Sequence, residues 1–236
     1  MKRLLLLFFL ASSFSCHSQL TQEKLISETL DRLEILESEV FTQQTVLRNF
    51  GSESLIVIPV ISEEEEGIRI FDAHLVLVHN ETGKIISKYL GKRDWYSDGL
   101  VLKNIEIDSS NYRLNGSDLG YGIKIKYANG SRPSPYNSTE LSLFVREGEQ
   151  LKPLLKDYRI SYLNGETDTH CNGEFETHSK SLEITDIKNN GFYNLKFTDS
   201  IQKSVSTDQN CESTVVENSQ AVEILQFKDG TYKNVL

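Results

Sequence analysis

The sequence predicts an all-β protein, an antiparallel sandwich or barrel that admits two β lobes, preceded by one N-terminal amphipathic helix. Three observations carry this prediction. Short apolar runs rich in Val, Ile, Tyr and Phe recur from residue 54 to the end of the chain. Polar stretches with Gly, Asn, Asp and Ser separate them, as turn residues do. Helical spacing occurs once, between Leu20 and Val40. The boundaries drawn from these patterns are 1–18 for a leader, 19–50 for a helical segment and 51–236 for a β domain. All-β folds of this length commonly form a single domain.

The leader comes first. Lys2 and Arg3 precede an apolar run from Leu4 to Ala11, and small residues follow. This is the layout of a secretory signal peptide. The run is far shorter than the roughly 20 residues that span a bilayer. Two processing routes stay open. In one, residues 13–16 (Ser-Phe-Ser-Cys) act as a degenerate lipobox and Cys16 becomes a lipidated first residue. In the other, cleavage follows Ser18. Ser13 and Phe14 depart from the strict lipobox, which wants Leu and then a small residue. The expected location is outside the cytosol, either periplasmic or as a membrane-anchored lipoprotein. A lipid anchor at Cys16 is the one membrane contact foreseen.

The next element is the helix. Ile26, Leu30, Leu33 and Val40 recur at steps of three, four and seven, with no Pro or Gly between them, and Thr21 is placed to cap the start. The pattern predicts four or five turns. Residues 54–62 (SLIVIPVIS) read as a buried strand, with Pro59 at an edge or bulge. Glu63 to Gly67 read as an exposed turn, because four adjacent carboxylates repel one another. Two apolar runs flank Asn80-Glu81-Thr82-Gly83 and predict a hairpin. His74 and His79 fall on its opposite faces, since their separation is odd. Further strands are expected at 100–108, 120–127, 140–147, 158–163, 181–187, 192–199 and 220–227. The last two runs of the chain are joined by Lys228-Asp229-Gly230, a strong hairpin signal. The loop 128–139 reads as the most flexible connection and a weak boundary between lobes.

Composition narrows the function. The formal net charge is −9 and no basic cluster exists, so the sequence lacks the electrostatic footprint of nucleic-acid binding and no such partner is expected. There is no Gly-x-Ser-x-Gly elbow, phosphate loop or dinucleotide fingerprint, so no catalytic residue and no cofactor is assigned. Of three cysteines, export removes or modifies Cys16. Cys171 and Cys211 then remain in an oxidising compartment, where a disulfide between them is expected; two separate buried thiols are the alternative. Such a bond would stabilise the fold by roughly 3–4 kcal/mol. It would also keep Cys171 from serving as ligand or nucleophile.

That bears on the most reactive-looking stretch, residues 170–178 (HCNGEFETH). On a strand, Glu174, Glu176 and His178 share one face, about 7 Å apart in steps of two. Three ligands in that row chelate zinc poorly, so a polar strand beside a disulfide is preferred and no metal site is assigned. Trp95 and Tyr96, in the polar stretch KRDWYSDG, together with Arg132 and Tyr136 in the 128–139 loop, are the candidate binding residues. A Trp in a polar loop can serve as a platform for a sugar ring; the competing reading packs it on the core. Asp94 and Asp98 form an acid pair of the kind glycoside hydrolysis uses, but carboxylates are too abundant here for the pair to discriminate.

Asp108, Tyr112, Leu114, Gly122, Ser131, Arg132, Pro135, Gly148, Cys171, Gly173, Glu174 and Phe175 form a pattern that resembles a family of exported bacterial proteins of unknown function. Its marks are an Asp-x-x-x-Tyr-x-Leu strand, a Ser-Arg-x-x-Pro loop and a Cys-x-Gly-Glu-Phe segment. The resemblance spans roughly residues 55–230 and implies export and a bacterial source without naming an activity. The leading expectation is an exported envelope β-domain that binds a ligand or a protein, not an enzyme. A hydrolase of carbohydrate or another envelope substrate, and an inhibitor or immunity-type protein with an acidic binding surface, are the alternatives.

Overall fold

The computed structural model describes residues 20–168, 170–207 and 212–234. The expected leader, Cys16 and Cys211 lie outside these residues. One helix, α1 (Gln22–Leu33), precedes twelve strands. They are β1 (Val46–Phe50), β2 (Glu53–Glu65), β3 (Ile68–His79), β4 (Ile85–Ser97), β5 (Val101–Ile107), β6 (Gly120–Ala128), β7 (Tyr136–Glu147), β8 (Gln150–Thr167), β9 (Gly173–Asn189), β10 (Phe192–Ser206), β11 (Ser213–Lys228) and β12 (Thr231–Asn234). The fold is all-β with one helix near the N-terminus, and its sheet does not close into a barrel.

Every strand pair is antiparallel except one. A single parallel bridge, Lys88 to Gln150, joins β4 to β8. Three cores arrange the sheet in layers. Alternate residues of β2 and β3 (Leu55, Val57, Phe71, Leu75) face β5, β6 and part of β7 and β8 across one core. Their neighbours (Ile56, Ile58, Val76, Val78) face α1 across another. Behind β6 and β7, residues Leu141, Leu143 and Val145 meet Leu195, Phe197, Leu225 and Tyr232 of β10–β12 in the third. Strand β2 is therefore buried on both faces over residues 54–60, which is why its sequence there is a nearly unbroken apolar run, and β7 is buried on both faces over 141–145.

Thr21 caps α1 by accepting from the Lys24 N–H. The helix is shorter than its sequence pattern predicts. Glu34 turns left-handed (φ 57°) and its N–H reaches back to the carbonyls of Leu30 and Asp31, closing the helix after three turns. The chain then runs through two single 3₁₀ turns into β1, so strand structure begins at Val46, ahead of the expected boundary at residue 51. Glu63 to Glu65 also differ from expectation, since they belong to β2 and only Glu66 and Gly67 make the turn. Glu63 pairs with Arg93 and Glu64 with Arg69, which relieves the repulsion. Pro59 lies beyond the stretch where β1 covers β2, as its missing N–H requires. The Asp229-Gly230 hairpin forms, with φ positive at both residues.

Strand β8 ties the layers together. Its first half pairs with β7 and, at Gln150, with β4, and its second half pairs with β7 and β9. Three register slips against β7 and a left-handed Asp157 (φ 50°) coil the strand between these roles. Ser142 fixes the bend by accepting from the Asp157 N–H and donating to its carboxylate. The loop after β6 is no lobe boundary, since β6 and β7 pair with each other along nine residue pairs on either side of it.

Candidate functional site

Trp95 and Tyr96 lie on β4 rather than in a loop. The register between β3 and β4 slips around residues 92–94, and Arg93 there is left-handed (φ 52°), its N–H held by Asp72. This bulge aims the Trp95 indole inward beside Phe71, where it is only 5% exposed. It therefore offers no platform to a ligand. A bulge masks alternation in the sequence, which is why the stretch reads as a loop. Tyr96 points the other way and is half exposed. Asp94 accepts from Tyr89 and pairs with Lys156, while Asp98 caps the β4–β5 turn through the Leu100 N–H. Both acids thus have structural partners.

Arg132 is exposed and Tyr136 half-buried. No hydrogen bond or ring contact joins this pair to Trp95 and Tyr96 among the described residues. The loop carrying Arg132 is held by its own bonds. Asn129 Oδ1 accepts the Tyr136 N–H, its amide donates to Ser134 O, and Ser131 Oγ accepts the Ser134 N–H. The carbonyls of Pro133 and Pro135 accept from Thr167 and Gly165. The loop thereby continues the edge of β7 alongside β8.

The stretch 170–178 divides into a turn and a strand. Asp168 organises the turn: its carboxylate accepts from the N–H groups of His170 and Asn172 and from the Asn172 amide. These bonds, led by the Asn172 amide, hold its pKa below the usual carboxylate value. His170 stays in that exposed turn, away from His178. Phe175 lies opposite Gly165 on β8, and a β-carbon on Gly165 would come within 2.4 Å of its ring. Glycine there makes room for the aromatic.

His178 is the one member of the stretch with a site-like environment. Its Nδ1 is 2.8 Å from Asp199 Oδ2 and its Nε2 is 2.8 Å from Glu176 Oε1. Tyr162 stacks on the ring at 4.1 Å. Ionised carboxylates only accept, so holding both bonds at once requires a proton on each ring nitrogen. Burial alone would depress its pKa, but the bonds to Asp199 and Glu176 outweigh burial and raise it. Both nitrogens are occupied, so the ring is not placed to take a proton from a substrate. No group of three or more metal-binding side chains converges among the described residues. Asp199 and Tyr162 come from neighbouring strands. Only the strand register brings them to His178, and nothing in the sequence marks them.

Along the same interior face lies a groove of about 370 Å³ between the β5–β6 connection and β9. Leu141, Ile160, Leu182 and Ile184 give it an apolar floor, with Lys124 and Lys180 above. Lys124 Nζ lies 2.8 Å from Asp108 Oδ2, which also accepts from the Tyr112 hydroxyl at 2.5 Å. Asp108 Oδ1 accepts from the backbone and hydroxyl of Ser110. Burial opposes ionisation of Asp108. The bonds from Lys124, Tyr112 and Ser110 prevail and hold its pKa at about 2. Lys180 donates to the Tyr158 hydroxyl at 3.0 Å and lies 3.6 Å from Glu223. Tyr158 itself donates to Glu223, and burial followed by that bond raises its pKa.

The groove thus presents two anchored ammonium groups over apolar side chains. Each ammonium carries three N–H donors; Lys124 directs one to Asp108, and Lys180 directs one to Tyr158 and faces Glu223 with another, which leaves each a donor for a ligand. The Ser110 and Tyr112 hydroxyls both donate to Asp108, whose lowered pKa makes it a weak base. Sequence reasoning tied Asp108 and Tyr112 to a family pattern but had no means of placing Lys124, Lys180 and Ile160 beside them. The two groups come from strands far apart in the chain.

No family model matches this sequence, and comparison with curated proteins and with solved structures finds no significant similarity to either.

Proposed function

We propose that the chain is an exported bacterial envelope β-domain that binds its ligand without transforming it, and that the ligand occupies the Lys124–Lys180 groove. The observation that carries this reading is the groove's make-up: an apolar floor of four aliphatic side chains beneath two cations whose positions are fixed by carboxylates. Pockets of about 300–1,000 Å³ with few, well-oriented polar groups are typical ligand sites. The fitting ligand has an anionic head and an apolar body, as an acyl carboxylate does. Export rests on the leader pattern at residues 2–18 and on the family resemblance.

The same reading pairs Cys171 with Cys211. Ser206 supports it, for it pairs with Gly173 on one side and Ser213 on the other, and its hydroxyl donates to the Cys171 carbonyl. Gly173 and Ser213, each two residues along the chain from one of the cysteines, thus adjoin the same end of β10. Reduction should free two thiols per mature chain, counted by mass after alkylation.

Isothermal titration of the purified protein with decanoate tests the groove. Saturable binding near one equivalent is expected, weakened at least tenfold by Lys180→Gln. Absence of binding by decanoate, or equal binding by the variant, rejects the assignment.

A further inference from the structure

Strand β11 leaves a long edge open. Residues 213–224 pair with β10 on one side, and among the described residues β12 covers the other side from Leu225 onward. Every residue from Ser213 to Val222 is exposed, and Val215, Val216, Val222 and Ile224 stand among the exposed large apolar side chains of the protein. Such an edge is a ready template for another strand. Its charges do not protect it, because Glu217 is paired with Lys203, and Glu223 with Tyr158 and Lys180.

We infer that this edge pairs antiparallel with the same edge of a second copy, about a twofold axis through Ser219. The length of the free edge fixes the centre. In a twofold antiparallel pair about Ser219, residue 214 of one copy faces 224 of the other, and the next position, Leu225, is already covered by Asn234 of β12. The pairing therefore runs over residues 214–224 of each copy, and Ser213 lies outside it. The side chains agree with that centre. Val216 faces Val222 twice, Asn218 faces Gln220 twice, and Glu217 faces Ala221. No like charges are opposed, whereas moving the centre by one residue to Gln220 sets Glu217 against Glu223. Opposed β-branched pairs favour a sheet and opposed like charges disfavour it. The β10–β11 register skips Val216, a bulge at one end that leaves 217–224 regular. Isologous pairs of this kind are the commonest form of homo-oligomer.

Sedimentation of the purified protein should show a concentration-dependent dimer. Ser219→Cys places two thiols face to face across the axis, at a β-carbon spacing close to that of a disulfide. Mild oxidation should convert most of that variant to a covalent dimer on a non-reducing gel. The unsubstituted protein and Asn218→Cys should not convert under the same conditions. Val222→Lys lies on exposed surface and should give a monomer with an unchanged thermal transition. A wild-type protein that stays monomeric at its highest soluble concentration overturns the proposal. A dimer that Val222→Lys leaves intact, or that Ser219→Cys does not trap, also overturns it by placing the contact elsewhere.

Discussion

At the scale of single residues, the family-like pattern describes packing. Tyr112 donates to Asp108, and its ring lies where a β-carbon on Gly122 would be, 2.5 Å from Cε2. Gly122→Ala therefore forces the ring aside and should cost about 1–3 kcal/mol, as other overpacked sites do; urea denaturation at neutral pH measures it. His178 gives a second prediction, in pH. Its folded pKa lies above the unfolded value near 6.5, so its contribution to stability is complete below about pH 6.5 and is lost as pH rises through the raised pKa. The stability difference between wild type and His178→Gln should shrink on that rise, read from urea midpoints across pH 5–9. A difference that widens with pH would mean the imidazolium is not the form that Glu176 and Asp199 hold.

At the scale of elements, what the sequence made legible depended on how each strand is buried. The hairpin at Asn80 to Gly83, the Asp229-Gly230 turn and the Thr21 cap were readable because their chemistry is local. Strands β2 and β3 announced themselves through apolar runs. The outer halves of β9, β10 and β11 did not. Residues 173–180, 200–206 and 213–219 are polar or mixed on both faces, so no alternation marks them, and backbone pairing with neighbouring strands holds them instead. The length of α1 was misjudged because Leu36 continues the helical spacing, yet it lies past the cap and is 63% exposed. This difference is measurable. Leu25→Ala, at a site 2% exposed against β2 and β3, should cost about 2–5 kcal/mol. Leu36→Ala should stay within about 0.5 kcal/mol of wild type, both judged from thermal unfolding.

At the scale of the whole molecule, neither site could be read from the chain because each is assembled by register. His178 meets Asp199 only through β9–β10 pairing, and Lys124 and Lys180 line one groove only because the sheet coils at β8. The coiling also argues against two independent lobes. Phe144 belongs to the core under β2 and β3, while its neighbours Leu143 and Val145 belong to the core under β10. One strand thus serves two interiors. Calorimetry should show a single cooperative transition, and Leu75→Ala and Leu143→Ala should both lower that one peak. Two peaks, each sensitive to one variant, would restore the lobes.

The loop between β6 and β7 has a practical consequence. Its tip, residues 132–134, is exposed, and the strands it joins remain paired on either side of it. Severing the backbone there would yield one peptide with β1–β6 and another with β7–β12, each supplying side chains that the other's interior lacks. Neither piece can shield its own oily surface. Mixed, they are expected to find each other and rebuild the intact body, which would turn this molecule into a split reporter whose signal depends on the two halves meeting.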